Sequence, residues 1–392
     1  MNQIFNRELI EKYNKAGPRY TSYPTAVQFH ENFTAQDYEK AARSSQQATK
    51  PLSLYFHLPF CAVVCFYCAC NRIITSNRKR SIPYLEHLFK EIEAQSRLFT
   101  QKVPVKQLHW GGGTPTFFNH EQMQALMEKT REHFQLLPDD EGEYSIEVDP
   151  READGKTVHF LRSIGFNRLS MGVQDFDPHV QKAVNRIQPK DITRETLLAA
   201  RESGFKSISL DLIYGLPLQT VTTFERTIDE VLTLSPDRLA VFNYAHMPHL
   251  FKMQKQMKEE DMPSPDEKLA ILKMVIERLT EAGYIYIGMD HFAKPTDQLA
   301  IAQKEGNLYR NFQGYSTHSD CDLVGMGISA ISQIGDTYAQ NTRVMKEYED
   351  LTSTAGLAIK RGLILTQDDL IRREVISEIM CNLKLDLPIM SE

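Results

Sequence analysis

The chain has 392 residues, 42% hydrophobic and 24% charged, an ordinary globular composition that argues against a disordered chain, a fibrous repeat or a disulfide scaffold. Its 45 Lys and Arg are outnumbered by 51 Asp and Glu, a net charge of −6, so no global basic field is present for nucleic acid or an anionic membrane. The start, MNQIFNRELIEKYNK, is polar where a secretory signal needs an apolar stretch, which predicts a cytoplasmic protein.

Residues 1–50 read as an N-terminal arm. Its GPRYTSYPT segment resists regular structure, and Arg19 within it is suited either to pairing with a substrate carboxylate or to an arm-to-core salt bridge. From residue 51 to 260, short β-branched or aromatic runs alternate with helical segments, the pattern of parallel βα units. Six strands are predicted at 52–58, 105–110, 144–148, 168–173, 207–213 and 238–244. Crossover helices are predicted at 84–99, 122–134, 157–164, 191–203 and 223–232. The most apolar stretch, Leu52 to Cys70, contains His57, Pro59 and four cysteines, so it reads as a strand running into a metal loop and not as a membrane span.

Several predicted strands end in groups with site chemistry, as sheets of parallel strands do at their carboxyl ends. Six units are fewer than a closed eightfold barrel uses. The fold class predicted is therefore α/β, a partial (β/α)6 barrel like a TIM barrel with one side open, and a doubly wound sheet is the alternative. Residues 261–365 form an extension packed on the barrel; it opens with a helix capped by Ser264, carrying Pro265 in its first turn and ending at Gly283. The segment LTQDDLIRREVISEIMCNLKLDLP reads as a further capped helix.

Cys61, Cys65, Cys68 and Cys70 lie within ten residues, and clustered soft thiolates favour iron–sulfur or zinc binding. A structural zinc site pairs two knuckles, and here no second knuckle exists, because Cys321 and Cys381 are isolated. The CxxxCxxC spacing of Cys61, Cys65 and Cys68 suits three corners of a [4Fe–4S] cluster, leaving one iron open to S-adenosylmethionine (SAM). A zinc loop, or an electron-transfer cluster that uses Cys70, are the blander readings. Tyr55, Phe60, Phe66 and Tyr67 would shield such a cluster.

The glycines of HWGGGTPT let the backbone approach a ligand closely, although an ordinary tight turn would have the same composition. Glu147 and Asp211 are suited to accepting hydrogen bonds from a ribose or ammonium, or to structural ion pairing. Gln174 and Arg186 add donors. Ala245, at the end of the sixth strand, offers backbone groups. GMGISAIS, 325–332, reads as a core turn whose small residues could border a cofactor.

Taken together, GPRYTSYPT, YFHLPFCAVVCFYCACN, LHWGGGTPT, SIEVDPRE, RLSMGVQDF, DLIYGLP, FNYAHMP, GMDHFA, RNFQGY and GMGISAIS resemble the oxygen-independent coproporphyrinogen III oxidase family, in order, from about residue 12 to about residue 386. The resemblance implies a radical SAM enzyme with a partial (β/α)6 barrel that converts two propionates of coproporphyrinogen III to vinyl groups in heme biosynthesis. It implies Cys61, Cys65 and Cys68 as cluster ligands and Tyr55, Gly112, Glu147 and Ile331 around the SAM on the cluster. It further implies a second SAM near Tyr67, Gly113, Thr114, Gln174, Arg186, Asp211 and Ala245, although the family also carries Phe at the position of Tyr67. The implied partners are an external electron donor of the flavodoxin or ferredoxin type and an electron acceptor of unspecified kind, for a monomeric enzyme without nucleic acid or membrane span. The family continues as a C-terminal helical domain of which 366–392 would be only the start, a truncated region. A heme-binding chaperone relative is the rival reading. Cys70 and the GPRYTSYPT arm favour the oxidase.

Overall fold

The computed structural model describes residues 5–13, 22–47, 49–99, 103–138 and 140–385. Six strands form where the sequence predicts them: β1 (Leu52–Leu58), β2 (Pro104–Gly112), β3 (Glu143–Val148), β4 (Arg168–Gln174), β5 (Ser207–Tyr214) and β6 (Arg238–Asn243). Each pairs in parallel with the next, in unbroken chain order. A doubly wound sheet would reverse direction from its first strand; this one winds one way, as a barrel does.

Helices α1 (Arg7–Tyr13) and α2 (Ala35–Gln47) precede β1. Between the strands lie α3 (Ser81–Ser96), α4 (His120–His133), α5 (Gly155–Ser163), α6 (Pro178–Ala183), α7 (Lys190–Glu202) and α8 (Val221–Leu234), and after them come α9 (Pro265–Glu281), α10 (Gln298–Glu305), α11 (Met345–Thr354) and α12 (Gln367–Ser377). The caps follow the sequence signals. The Ser264 side chain accepts the Glu267 N–H with Pro265 in the first turn, and Thr366 and Asp369 close a reciprocal box on α12. None of the described helices is long and apolar enough to cross a membrane. Arg19 lies outside the described residues, as do residues 386–392.

Side chains alternate along the strands with period two. In β5, Ile208, Leu210 and Leu212 are fully buried on the outer face, while Ser207, Ser209 and Asp211 line the lumen. In β3, Glu143, Ser145 and Glu147 face inward, and in β2 so do Gln107 and His109. The lumen is therefore polar, and its buried charges are paired. Arg168 sits 3.0 Å from Glu143 and Arg238 2.8 Å from Asp297; Arg238 and Arg168 hold the Glu143 carboxyl down at about 2 against the opposing effect of burial.

Residues 261–365 do more than pack on the barrel, because they extend its sheet at both edges. On one side β7 (Ile285–Gly288) and β8 (His291–Ala293) add antiparallel to β6. After a separate hairpin of β9 (Tyr309–Asn311) and β10 (Gly314–Ser316), β11 (Asp322–Met326) pairs in parallel with the free edge of β1, matching Leu52 to Asp322 and Phe56 to Met326. Strands β12 (Ile331–Ile334), β13 (Thr337–Asn341) and β14 (Ile359–Ile364) continue from it antiparallel. Among the described residues the edge strands β7 and β14 do not pair with each other, so the barrel stays open. The predicted turn at 325–332 is thus the passage from β11 to β12. Buried Glu91 of α3 holds it in place, accepting the Gly327 N–H at 2.8 Å, the Tyr348 hydroxyl at 2.7 Å and the Asn341 amide at 2.6 Å.

Candidate functional site

At the carboxyl end of β1 the chain turns into the cysteine loop, and the glycine segment closes against it. Gly113 N–H donates to Leu58 at 2.8 Å and Thr114 N–H to Phe60 at 2.8 Å. A Cβ on Gly113 would stand 2.6 Å from the Pro59 carbonyl carbon, and one on Gly112, at φ +112°, 2.6 Å from the His57 ring. The glycines therefore serve the approach of backbone to backbone as well as to ligand. Gly113→Ala is expected to displace the loop and lower cluster incorporation severalfold while leaving the far-UV circular dichroism unchanged; wild-type iron content in that variant would refute the contact.

His57 anchors the other end of the loop. Its Nε2 donates to the Asn71 carbonyl at 2.8 Å, which leaves Nδ1 to accept from the Tyr55 hydroxyl at 3.0 Å. Burial lowers the His57 pKa, consistent with this neutral tautomer.

The three thiols share one cavity of about 310 Å³. Cys65 Sγ receives Arg151 and Arg186 at 3.6 Å each, and Cys61 Sγ receives Thr114 Oγ1 at 3.6 Å. Both guanidinium groups also grip Asp149, Arg151 at 2.7 Å and Arg186 at 3.0 Å. Two cations against one carboxylate leave net positive charge beside Cys65, which would offset the negative charge of a thiolate-ligated cluster. Burial pushes the Cys61 thiol up to about 11. Cys68 is drawn down to about 6, first by its hydrogen bond from Cys70, with burial opposing and Arg72 assisting. Soft donors with cationic support fit an iron–sulfur cluster. Among the described residues, His318, Asp320 and Cys321 bring their donor atoms within 4.8 Å of one another.

The same cavity is lined by Tyr67, Gly112, Gly113, Thr114, Glu147, Gln174, Arg186 and Asp211. A second cavity of about 520 Å³ is lined by Tyr55, Gly112, Glu147 and Ile331, together with His57, Cys70, Phe312 and Ser329. Glu147 lines both cavities and the lumen beneath them. Its carboxylate accepts from His109 Nε2 at 3.2 Å and from Gly112 N–H at 3.2 Å; although burial opposes it, these contacts hold Glu147 below the usual carboxylate range. His109 in turn stacks on Tyr55, with ring centroids 5.9 Å apart.

The structure gathers the cluster and SAM candidates in these two cavities except Ala245, while Phe60 packs in the core and Phe66 against Val180 and Val184. Ala245 lies past the end of β6 and does not line these cavities; its carbonyl accepts from Gln254, which also holds the Tyr67 carbonyl at 3.2 Å. Sequence reasoning missed His57, His109, Asp149 and Arg151. The two histidines had a signal, because they occupy alternate positions on strands whose neighbours already pointed inward, whereas the pairing of Asp149 with Arg186 spans 37 residues and leaves no local trace.

Asp211 faces Glu147 across the cavity and is pushed up to about 7, first by burial and then by the Glu147 charge. A carboxyl raised in the folded state binds more protons than in the unfolded chain between its ordinary pKa of 3.8 and 7, so stability falls as pH rises through that window. In the cluster-free protein, Asp211→Asn is expected to match the parent near about pH 4 and to exceed it by roughly 2–4 kcal/mol above about pH 7. Thermal midpoints across that range test this, and a constant difference would sink it.

Residues 55–231 match the radical SAM superfamily. The oxygen-independent coproporphyrinogen III oxidase of Pseudomonas aeruginosa is 55% identical over 97% of this chain and 83% of its own length, and that of Escherichia coli is 52% identical over 96% and 82%. The solved structure of coproporphyrinogen III oxidase from Escherichia coli, described as a radical SAM enzyme, superimposes with a TM-score of 0.94 at 49% identity, covering 99% of this chain and 87% of that one. A likeness of this extent, over the cysteine loop, the open barrel and the strands that extend it, makes the chain a member of the oxygen-independent coproporphyrinogen III oxidase family.

Proposed function

We propose that the chain carries out the oxidative decarboxylation of two propionate side chains of coproporphyrinogen III to vinyl groups, giving protoporphyrinogen IX in anaerobic heme biosynthesis. The observation that carries this reading is the pair of cavities joined at Glu147, one around three thiols and the other walled by Tyr55 and Ile331, in a chain 55% identical to such an oxidase over 97% of its length. Its setting, in this reading, is the cytoplasm, where clustered thiols stay reduced.

Cys61, Cys65 and Cys68 would hold a [4Fe–4S] cluster, and Tyr55, Gly112, Glu147 and Ile331, which line the second cavity, would hold SAM beside it. Tyr67, Gly113, Thr114, Gln174, Arg186 and Asp211, which line the thiol cavity, would surround a second SAM, and Ala245, outside that cavity, would not. The cluster and SAM, when bound, supply one-electron chemistry able to remove a hydrogen atom from an unactivated carbon. The protein's part is placement and exclusion of water. Glu147, ionised and oriented by His109, is suited to receive an ammonium or ribose hydroxyl. Arg151 and Arg186 offset the charge of the thiolates, and Tyr55 stacked on His109 walls the cavity. Each propionate loses a hydrogen atom, carbon dioxide and one electron, the last to an external acceptor, to become vinyl, so no general base is needed.

Anaerobic turnover of coproporphyrinogen III with SAM and dithionite tests the reading. Protoporphyrinogen IX should form with one 5′-deoxyadenosine per vinyl group. Formation of 5′-deoxyadenosine without a vinyl product would overturn it.

A further inference from the structure

The segment that carries the cysteine loop is basic. From Pro59 to Ser81 the sequence holds Arg72, Arg78, Lys79 and Arg80 and no acidic residue, in a chain of net charge −6. Arg78 is spent on Glu152 and on the Phe117 carbonyl at 2.7 Å. Lys79 and Arg80 are exposed and make no ion pair among the described residues. The stretch 178–190, also free of acidic residues, packs beside the loop, since the Phe66 N–H donates to Val184 at 3.0 Å and the Asn185 amide to Val64 at 2.7 Å. It adds the exposed Lys182.

The same two segments carry apolar side chains open to solvent: Val63 at 50%, Ile74 at 41% and Ile187 at 65% exposure. Ile74 is the strand partner of Cys61, Ile187 follows the Arg186 that touches Cys65, and Val63 and Arg72 belong to the wall of the thiol cavity itself. One layer of residues therefore separates this face from the thiols. An apolar centre with a basic rim is the form of a surface that steers and then seats an acidic partner.

We propose that this face docks a small acidic one-electron carrier protein and is where the electron enters. The proposal rests on the radical SAM reading above. One electron leaves the carrier, whose flavin passes from hydroquinone to semiquinone when the carrier is a flavodoxin, and the cluster is reduced from the 2+ to the 1+ state, so the electrons balance.

The test uses the cluster-loaded protein with Lys79→Glu/Arg80→Glu and, separately, Lys182→Glu, none of which lines the thiol cavity. Binding of a purified acidic flavodoxin is titrated by its fluorescence, and SAM cleavage is followed with reduced flavodoxin or with dithionite as reductant. The variants should need about tenfold more flavodoxin for half-saturation at low ionic strength and lose the parent's salt dependence, while dithionite-driven cleavage is unchanged. Equal flavodoxin affinity in parent and variants overturns the proposal, as does equally tight binding of an acidic protein without a redox group. If the parent cleaves no SAM even with dithionite, the radical SAM reading itself falls and the docking proposal with it.

Discussion

Replacing any one of Cys61, Cys65 or Cys68 by alanine is expected to abolish the brown iron–sulfur chromophore on anaerobic reconstitution and with it all SAM cleavage, whereas Cys70→Ala keeps both. The distinction follows from position. Cys61 and Cys65 are met by Thr114 and by two guanidinium groups on the cavity wall, and Cys68 shares that cavity. Cys70 also lies at its edge, but it lines the second cavity beside Tyr55, Glu147 and Ile331 as well, the side from which SAM would reach the open iron. In the metal-free chain its thiol is held well above the ordinary range, first by the hydrogen bond it gives to Cys68. A cluster that claims the Cys68 sulfur ends that contact. Iron and sulfide analysis of the four single variants decides the matter, and loss of the cluster in Cys70→Ala would make Cys70 a ligand and remove the open iron on which the chemistry depends.

The second large effect concerns Arg186. It is buried, at 6% exposure, and it joins three elements: Nη1 donates to Asp149 after β3 at 3.0 Å and to Cys65 at 3.6 Å, and Nη2 donates to the Gly172 carbonyl of β4 at 2.6 Å. Removing one partner of a buried pair leaves the other charged and desolvated, at a cost of about 3–5 kcal/mol. Asp149 keeps Arg151, so Arg186→Leu is expected near the lower end of that range by chemical denaturation of the cluster-free protein. Arg186→Lys should not restore the loss, because an ammonium cannot span the carboxylate, the sulfur and the carbonyl as a guanidinium fork does. A destabilisation below about 1 kcal/mol would show that Arg151 alone neutralises Asp149.

The six barrel strands were legible because each is a buried run of the right length between turn signals, and the crossover helices because their apolar positions repeat at helical spacing. The observed β1 (Leu52–Leu58) coincides with its prediction, while β2 takes in Gly111 and Gly112, which the sequence reading assigned to a turn. Glycine is a poor strand former, and here β1 and Glu147 hold it in extended pairing. Strands β7 to β14 were not foreseen. Most have three to five residues and include Gly, Gln, Asn or Asp, so neither length nor composition marks them, and their existence depends on edges that β1 and β6 offer only once the barrel has formed.

The cysteine triad, its cofactor chemistry aside, shows the same division. Three thiols spaced CxxxCxxC after an apolar strand are a local fact, and local chain geometry suffices to bring them to one loop. That this loop stands against Gly113 and Thr114, that Arg151 and Arg186 place two positive charges on Cys65, and that Glu147 sits where three cavities meet are contacts between residues 35 to 121 positions apart. The amino-acid sequence by itself determined the donor atoms, the strands that carry them and the alternation that turns every second side chain inward. Only the tertiary structure decided their charge environment and the shape of the space between them, because desolvation and Coulomb interaction depend on distance in space and not on separation along the chain.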